Sequence, residues 1–254
     1  HRCINWPLAE VQIDRAKQVL EEQNDRDVFM MLHFMDMHLP YTEPLAYRSM
    51  YAGDRPDVFK SDSFGRSEIL RNERKLGDDG KQYIIDRYDN NLTYIDDVLT
   101  PFLKELPEDS IVAIFSDHGE EFWDHGDFEH GHTLYDELLN VPYILKMPGI
   151  DNGIHDEPVS LLDLVPTTAK ALNLEIEDTQ GWALQEHSAE EVHSRPQAFG
   201  RLLYGDDAWG SLKEDIKYAS MSGEEEMFNL AEDPEEQHPI AQKHAVHGRD
   251  AMSE

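Results

Sequence analysis

The sequence predicts an α/β layered fold with a mainly parallel sheet, followed by a small antiparallel sheet. Three observations predict it. Helical periodicity alternates with short apolar runs at residues 28–34, 111–115 and 141–147, the signature of strands covered by helices on both faces. Beyond about residue 195 the texture changes to short apolar runs at 197–203, 216–221 and 226–230, joined by Gly-containing turns. No internal repeat or low-complexity tract interrupts the order. The expected division is therefore 1–195 for an α/β domain and 196–254 for a small α+β subdomain.

The elements follow in order. Residues 5–23 read as a helix. Asn5 can cap it, Pro7 suits its first turn, and Leu8, Val11, Ala16, Val19 and Leu20 fall near one face. A polar turn at 24–27 leads to the run VFMMLHF, read as a strand covered on both faces, and then to a loop holding Asp36, His38 and Pro40. Residues 42–80 are polar with weak periodicity, a surface excursion with a short helix or two. At 82–106 the helical pattern returns through Ile84, Tyr88, Asn91, Ile95, Leu99, Phe102 and Leu106, with Pro101 predicted to kink or restart it. Asp96 and Asp97 on that helix read as solvated or capping charges. A turn at 107–110 enters the strand at 111. Further on come a short helix at 133–140, a strand at 141–147, and a helix at 159–174 beginning near Ser160 or Asp163. Asp233-Pro234-Glu235-Glu236 is predicted to start a final polar helix.

Composition excludes some functions. Fifty-three Asp and Glu face 22 Lys and Arg, giving a net charge of −31 over 254 residues. Such a surface repels nucleic acid and anionic membranes. It suits a protein that stays soluble in high salt, where screening quiets self-repulsion. The single cysteine, Cys3, permits no internal disulfide. No stretch approaches the roughly 20 apolar residues of a transmembrane helix. The chain opens at His1 with residues that read as mid-domain sequence, so an amino-terminal portion is expected to precede it, together with any targeting signal. One cysteine and no visible leader favour the cytoplasm.

The chemistry concentrates at 111–148. A β-branched run, Ile111-Val112-Ala113-Ile114-Phe115, breaks into Ser116-Asp117-His118-Gly119. A buried strand that ends in an acid and an imidazole presents two metal donors at a sheet edge. Gly119 is expected to let the backbone turn sharply and to leave room beside them. Four histidines, at 118, 125, 130 and 132, lie within fifteen residues, among Asp117, Asp124, Asp127 and Glu129. Asp117 offers a hard oxygen and His118 a nitrogen, a mixture that suits Ca²⁺, Mn²⁺ or Mg²⁺ with additional carboxylates, and less firmly Zn²⁺. His125 and Asp124 read as loop hydrogen-bonders, His132 as a group able to cap a helix at Thr133, and Asn140 and Lys146 as structural. A zinc cluster of unrelated fold, joining His118, His125 and His132, is a separate reading of the same residues.

Five segments in order resemble the sulfatase family of the alkaline phosphatase superfamily. Asp36-Met37-His38-Leu39-Pro40-Tyr41 resembles its D-x-H-x-P-Y, and Ser116-Asp117-His118-Gly119-Glu120-Glu121 its S-D-H-G-E-E. His130-Gly131-His132-Thr133-Leu134-Tyr135-Asp136-Glu137 with Val141-Pro142 resembles H-G-x-x-L-Y-E-E…V-P. Asp163-Leu164-Val165-Pro166-Thr167 is similar to its D-x-x-P-T helix start, and Glu226-Met227-Phe228-Asn229-Leu230 with Asp233-Pro234 to its closing strand. The resemblance implies an alkaline-phosphatase-like α/β sandwich with a small C-terminal antiparallel sheet plus helix, and hydrolysis of sulfate monoesters of small molecules or carbohydrates. It implies Asp117 and His118 as metal ligands, with Ca²⁺ the foremost candidate. It implies His38 as the group contacting the sulfate or protonating the leaving oxygen, and His130 as the group gripping the sulfate, with His132 the competing choice. The family's early aspartate pair and its C-x-P-x-R or S-x-P-x-R motif, whose Cys or Ser becomes formylglycine, do not occur in this chain. Cys3 is followed by Ile4-Asn5-Trp6-Pro7 and is not that cysteine. The chain therefore resembles the C-terminal portion of a sulfatase, with formylglycine expected upstream. A phosphomonoester, phosphodiester or phosphonate hydrolase, or a phosphoglycerol transferase, on the same scaffold stays open, as does an inactive fragment or a non-catalytic, metal-stabilised protein.

Overall fold

The computed structural model describes residues 7–23, 25–200, 202–204, 207–221 and 223–240. The chain forms two compact units, His1–Pro107 and Glu108–Glu254.

The first unit is built on α1 (Ala9–Glu22) and α2 (Arg66–Glu105). Ile13 and Ala16 of α1 bury against Phe102 of α2, and Met30, Leu32 and Phe34 pack onto that cluster. The proposed cap Asn5 lies outside the described residues. The helix starts at Ala9, whose amide donates to Asp36 Oδ1 at 3.1 Å, so the cap comes from the loop 27 residues on. Burial, opposed by that bond, raises the Asp36 pKa.

Residues 28–34 are not the strand the sequence predicts. They make no ladder with any described strand, and only one side is covered: Phe29 is 91% and Met31 74% exposed, while the alternate residues pack inward. The apolar run registers what its side chains can bury against, and a strand also needs a neighbour for its amides.

Helix α2 is longer than its periodicity suggests and begins within the polar excursion. It is interrupted at Gly77 (φ 57°, ψ −174°), a conformation open to glycine, and continues through Pro101, where the break was expected. Its buried face is partly polar. Arg87, Asn90 and Asn91 are all buried. Arg87 Nε pairs with Glu43 Oε1 at 2.6 Å, and its Nη2 donates to the Tyr41 carbonyl at 2.5 Å. Asn90 Nδ2 donates to the Arg48 carbonyl (2.9 Å) and Asn91 Nδ2 to Glu43 Oε2 (3.2 Å). These bonds fasten residues 41–62 to the helix, so the excursion is a held loop. Asp96 and Asp97 accept from Thr100 Oγ1 and Tyr47 Oη.

In the second unit β1 (Val112–Phe115) pairs with β4 (Tyr143–Lys146), and β2 (Glu121–Phe122) with β3 (Phe128–Glu129). The one-turn helix α3 (Asp136–Leu139) precedes β4. A 3₁₀ turn at Leu161–Asp163 opens α4 (Leu164–Ala171), with Ser160 and Asp163 closing a capping box, and α5 (Ala189–Ser194) follows. Strands β5 (Gln197–Gly200), β6 (Trp209–Lys213), β7 (Ile216–Met221) and β8 (Glu224–Asn229) form a four-stranded sheet in sequence order.

Every strand pair among the described residues is antiparallel, against the expectation of a mainly parallel sheet. The connection from β1 to β4 runs through a hairpin and the four residues of α3, with no crossover helix to carry the chain back to the starting edge, so β4 returns in the opposite direction. Residues 231–240 hold turns, and the polar helix expected from Asp233 does not form there. No helix among the described residues is long and apolar enough to cross a membrane.

Candidate active site

Strand β1 delivers the site. Its apolar ladder with β4 stops at Phe115, and the chain turns out through Ser116, whose Oγ donates to the His118 carbonyl at 2.7 Å. Gly119 then passes so close to α3 that a Cβ would lie 2.0 Å from the Glu137 carbonyl oxygen. Its amide donates to the Leu138 carbonyl at 2.9 Å. Glycine is needed here for close approach between two backbones, where the sequence pointed to a sharp turn and to room beside the ligands.

This bond fixes what precedes it. Asp117 is exposed, and its Oδ1 lies 3.8 Å from His118 Nε2. His118 Nδ1 lies 2.8 Å from the Gly119 carbonyl oxygen. A carbonyl only accepts, so Nδ1 carries a proton, and Nε2 is the ring nitrogen left facing the Asp117 carboxylate. A ligating histidine is oriented in this way, with its other nitrogen held by a partner, here the backbone. The two side chains thus fit a hard divalent cation as two of its donors. No group of three or more His, Cys, Asp or Glu suited to a metal occurs among the described residues, so these two do not complete a coordination shell.

The other histidines separate into distinct environments. His130 stacks on His118, ring centroids 3.9 Å apart and 29° between planes, and its Nδ1 pairs with Glu120 Oε1 at 2.8 Å. That bond, working against burial, raises the His130 pKa. His132 has Nε2 2.8 Å from Glu121 Oε2, and this bond likewise raises its pKa against burial. Glu121 is fully buried, which pushes its pKa up. His132 and the amides of Asp127 (2.8 Å) and His125 (3.2 Å) outweigh that and lower it. His125 stacks on Tyr135 at 3.6 Å, with Nδ1 on Glu137 Oε1 (2.7 Å) and Nε2 on the Glu236 carbonyl (3.1 Å). Burial disfavours its charged ring, but Glu137 and Glu236 hold the pKa above the usual histidine value.

The structure therefore brings Asp117, His118 and His130 together. His132 is turned to Glu121 and caps no helix, since α3 starts only at Asp136. The zinc cluster of His118, His125 and His132 does not assemble: Glu137 and the Glu236 carbonyl hold the two ring nitrogens of His125, and Glu121 holds Nε2 of His132. Asp124 is a loop hydrogen-bonder, its Oδ2 accepting from the Phe122 amide at 2.9 Å. His38 belongs to the first unit. Its ring is exposed and Nδ1 lies 2.6 Å from the Leu39 carbonyl oxygen, which places the proton on Nδ1 as in His118. Sequence reasoning assigned no role to Glu120, Glu121, Lys217 or Glu236. The Glu120-Glu121 pair was visible within the S-D-H-G-E-E match, but no spacing rule joins an acid to a histidine ten or eleven residues away.

A model of the family described as Sulfatase matches residues 4–174. The chain belongs to the sulfatase family. It is 27% identical to an arylsulfatase of Clostridium perfringens, over 91% of this chain and 52% of that protein. The crystal structure of a putative sulfatase, YidJ of Bacteroides fragilis, superposes with a TM-score of 0.65 at 19% identity, covering 96% of this chain and 57% of that one. A protein solved in complex with its substrate, D-glucosamine-2-N,6-O-disulfate, superposes with a TM-score of 0.55 at 17% identity, covering all of this chain and 62% of that one. The structural likeness establishes the alkaline-phosphatase-like fold with its small C-terminal antiparallel sheet. This sulfatase chain spans about half the length of the arylsulfatase.

Proposed function

We propose that this chain supplies two metal ligands and the anion-binding and proton-donating histidines of a sulfatase that hydrolyses sulfate monoesters. The observation that carries the reading is the Asp117–His118 pair at the end of β1, its imidazole oriented by the Gly119 carbonyl and stacked on His130. Asp117 and His118 would hold a divalent cation, Ca²⁺ foremost with Mn²⁺ and Mg²⁺ as the other candidates, together with further carboxylates. When bound, the cation supplies positive charge to the sulfate oxygens as charge builds on them. The nucleophile we assign is a formylglycine carried elsewhere in the protein.

The chain's own groups divide the remaining work. Glu120 keeps His130 in its charged form towards higher pH, so the ring can donate to a sulfate oxygen. His132, turned to Glu121, serves the segment's geometry and ranks behind His130 as a sulfate contact. His38, with Nδ1 anchored on the backbone, would hold a proton on Nε2 and pass it to the departing alcohol. Because the protein carries a net charge of −31, an anionic substrate must be captured by local positive charge and not by the overall field. Sulfated sugars are the substrate class we favour, since a structural neighbour was solved with a disulfated glucosamine as its substrate.

The test uses the full-length protein and nitrophenyl sulfate. His38→Ala is expected to lower turnover roughly 10²–10⁴-fold, the usual worth of general acid catalysis. Asp117→Ala is expected to abolish divalent-cation binding in calorimetry. Undiminished turnover in the first variant, or wild-type metal stoichiometry in the second, overturns the assigned role.

A further inference from the structure

We infer that Lys217 and Glu236 are positioning residues, through which the C-terminal sheet holds α3 and the histidine segment in place behind Asp117 and His118. Lys217 sits on β7, an interior strand of that sheet, and is 1% exposed. Its Nζ lies 2.6 Å from Asp136 Oδ1 and 2.8 Å from Glu236 Oε1. A lysine this deeply buried requires partners, and both of its partners belong to the segments it joins. Asp136 is the first residue of α3, and its amide donates to Glu236 Oε2 at 2.6 Å. Glu236, 2% exposed, therefore receives Lys217 on one carboxylate oxygen and closes the helix start with the other. Its backbone is left-handed (φ 53°), which an L residue adopts at a cost, and its carbonyl lies 3.1 Å from His125 Nε2.

The clamp reaches the candidate ligands through α3. Leu138 of α3 accepts from the Gly119 amide, and the Glu137 carbonyl lies where a Gly119 Cβ would be. A shift of α3 is thereby a shift of the residue next to His118. A second contact runs in parallel: Tyr135, stacked on His125, donates to Glu226 Oε2 of β8 at 2.8 Å. Strands β7 and β8 and the turn at Glu236 thus grip Tyr135 and Asp136 by side chains from three places, and the Glu236 carbonyl meets His125. The sequence showed this region only as two short strands and the start of a polar helix at Asp233, for which the proposed chemistry has no direct use.

This inference rests on the reading of Asp117, His118 and His130 as a sulfate-ester site, and its test separates the two. In the full-length protein Lys217→Met and Glu236→Gln are compared with wild type by histidine side-chain NMR, divalent-cation calorimetry, and kcat and KM on nitrophenyl sulfate. In folded Lys217→Met the His125 ring resonances are expected to shift, cation affinity to fall about tenfold or more, and kcat to fall roughly 10²-fold with KM changed less, the cost of a misplacement near 1 Å. Lys217→Arg, which keeps the charge, is expected to restore part of each. If Lys217→Met does not fold, Glu236→Gln is the deciding variant: it keeps an acceptor for the Asp136 amide and loses the charge that meets Lys217. Wild-type histidine spectra and cation affinity in the folded variant overturn the inference. A wild-type protein that turns over no sulfate ester overturns the proposed function, while the spectra and cation affinity still decide the positioning role.

Discussion

Replacing Gly119 by alanine is the sharpest test of how the site is held. The added Cβ would lie 2.0 Å from the Glu137 carbonyl oxygen and 3.2 Å from Leu138 Cα, where ordinary contact begins near 3.4 Å. Both obstacles are backbone, so no rotamer change relieves them, and the end of β1 must part from α3 by more than 1 Å. Overpacking of this kind costs about 1–3 kcal/mol, occasionally more. Separation also breaks the Gly119–Leu138 hydrogen bond, worth about 1 kcal/mol net. Loss of glycine's freedom in the unfolded chain returns about 0.4–1 kcal/mol. The net expectation is a destabilisation of about 1–4 kcal/mol, a sizeable share of the roughly 5–15 kcal/mol that keeps a domain folded. Guanidinium unfolding followed by fluorescence and by circular dichroism measures it, with the midpoint falling and the slope preserved. Cation binding should weaken in the fraction that stays folded, because His118 moves with Gly119. A midpoint within about 0.5 kcal/mol of wild type would refute the close approach, and with it the route by which α3 positions the ligands.

Three other outcomes follow from the charges. The His132 pKa is raised in the fold, so its contribution is complete below the unfolded value of 6.5 and disappears as pH rises through the folded one; the Glu121 pKa is lowered, so its contribution is complete above 4.5 and disappears as pH falls through the folded one. Their pair therefore stabilises most between these values, and Glu121→Gln should flatten the fall in melting temperature above pH 6.5; an unchanged profile would contradict the pairing. Arg195 grips the fully buried Asp163 in a two-pronged bond of 2.8 and 2.6 Å, so Arg195→Met should cost about 3–5 kcal/mol in denaturant midpoint, whereas Lys170→Met, which breaks the exposed pair with Glu186, should change nothing measurable. Finally, melting temperature should rise from low to molar KCl as screening shortens from about 30 Å at 0.01 M to 3 Å at 1 M, and a flat response would exclude salt adaptation as the meaning of the −31 charge.

What the sequence disclosed was set by the range of the interactions involved. Apolar runs were legible: β1, β4, β5 and β7 fall within the predicted runs, β8 overlaps the run at 226–230, and α4 starts where Ser160 and Asp163 were read as a helix opening. Elements whose stability is decided elsewhere were not. β6 was passed over because Trp209-Gly210-Ser211 carries little strand propensity, and its place is fixed by the strands on either side, Phe199 of β5 lying where a Gly210 Cβ would be. Arg87, Asn90 and Asn91 sit at helical spacing on the inward face of α2, among Ile84, Tyr83 and Tyr94, and a hydrophobic period cannot show that polar side chains there tie down a loop more than 30 residues earlier. The same limit divides the site. Asp117 and His118 were readable because their donors are adjacent in the chain and follow a strand. Lys217 and Glu236 were not, because each meets Asp136 only after 81 and 100 residues of chain have folded between them. A local motif can name the groups that touch a cation. The groups that hold them still come from distant segments whose residue types, a lysine in a strand and a glutamate in a turn, look like surface until the fold buries them.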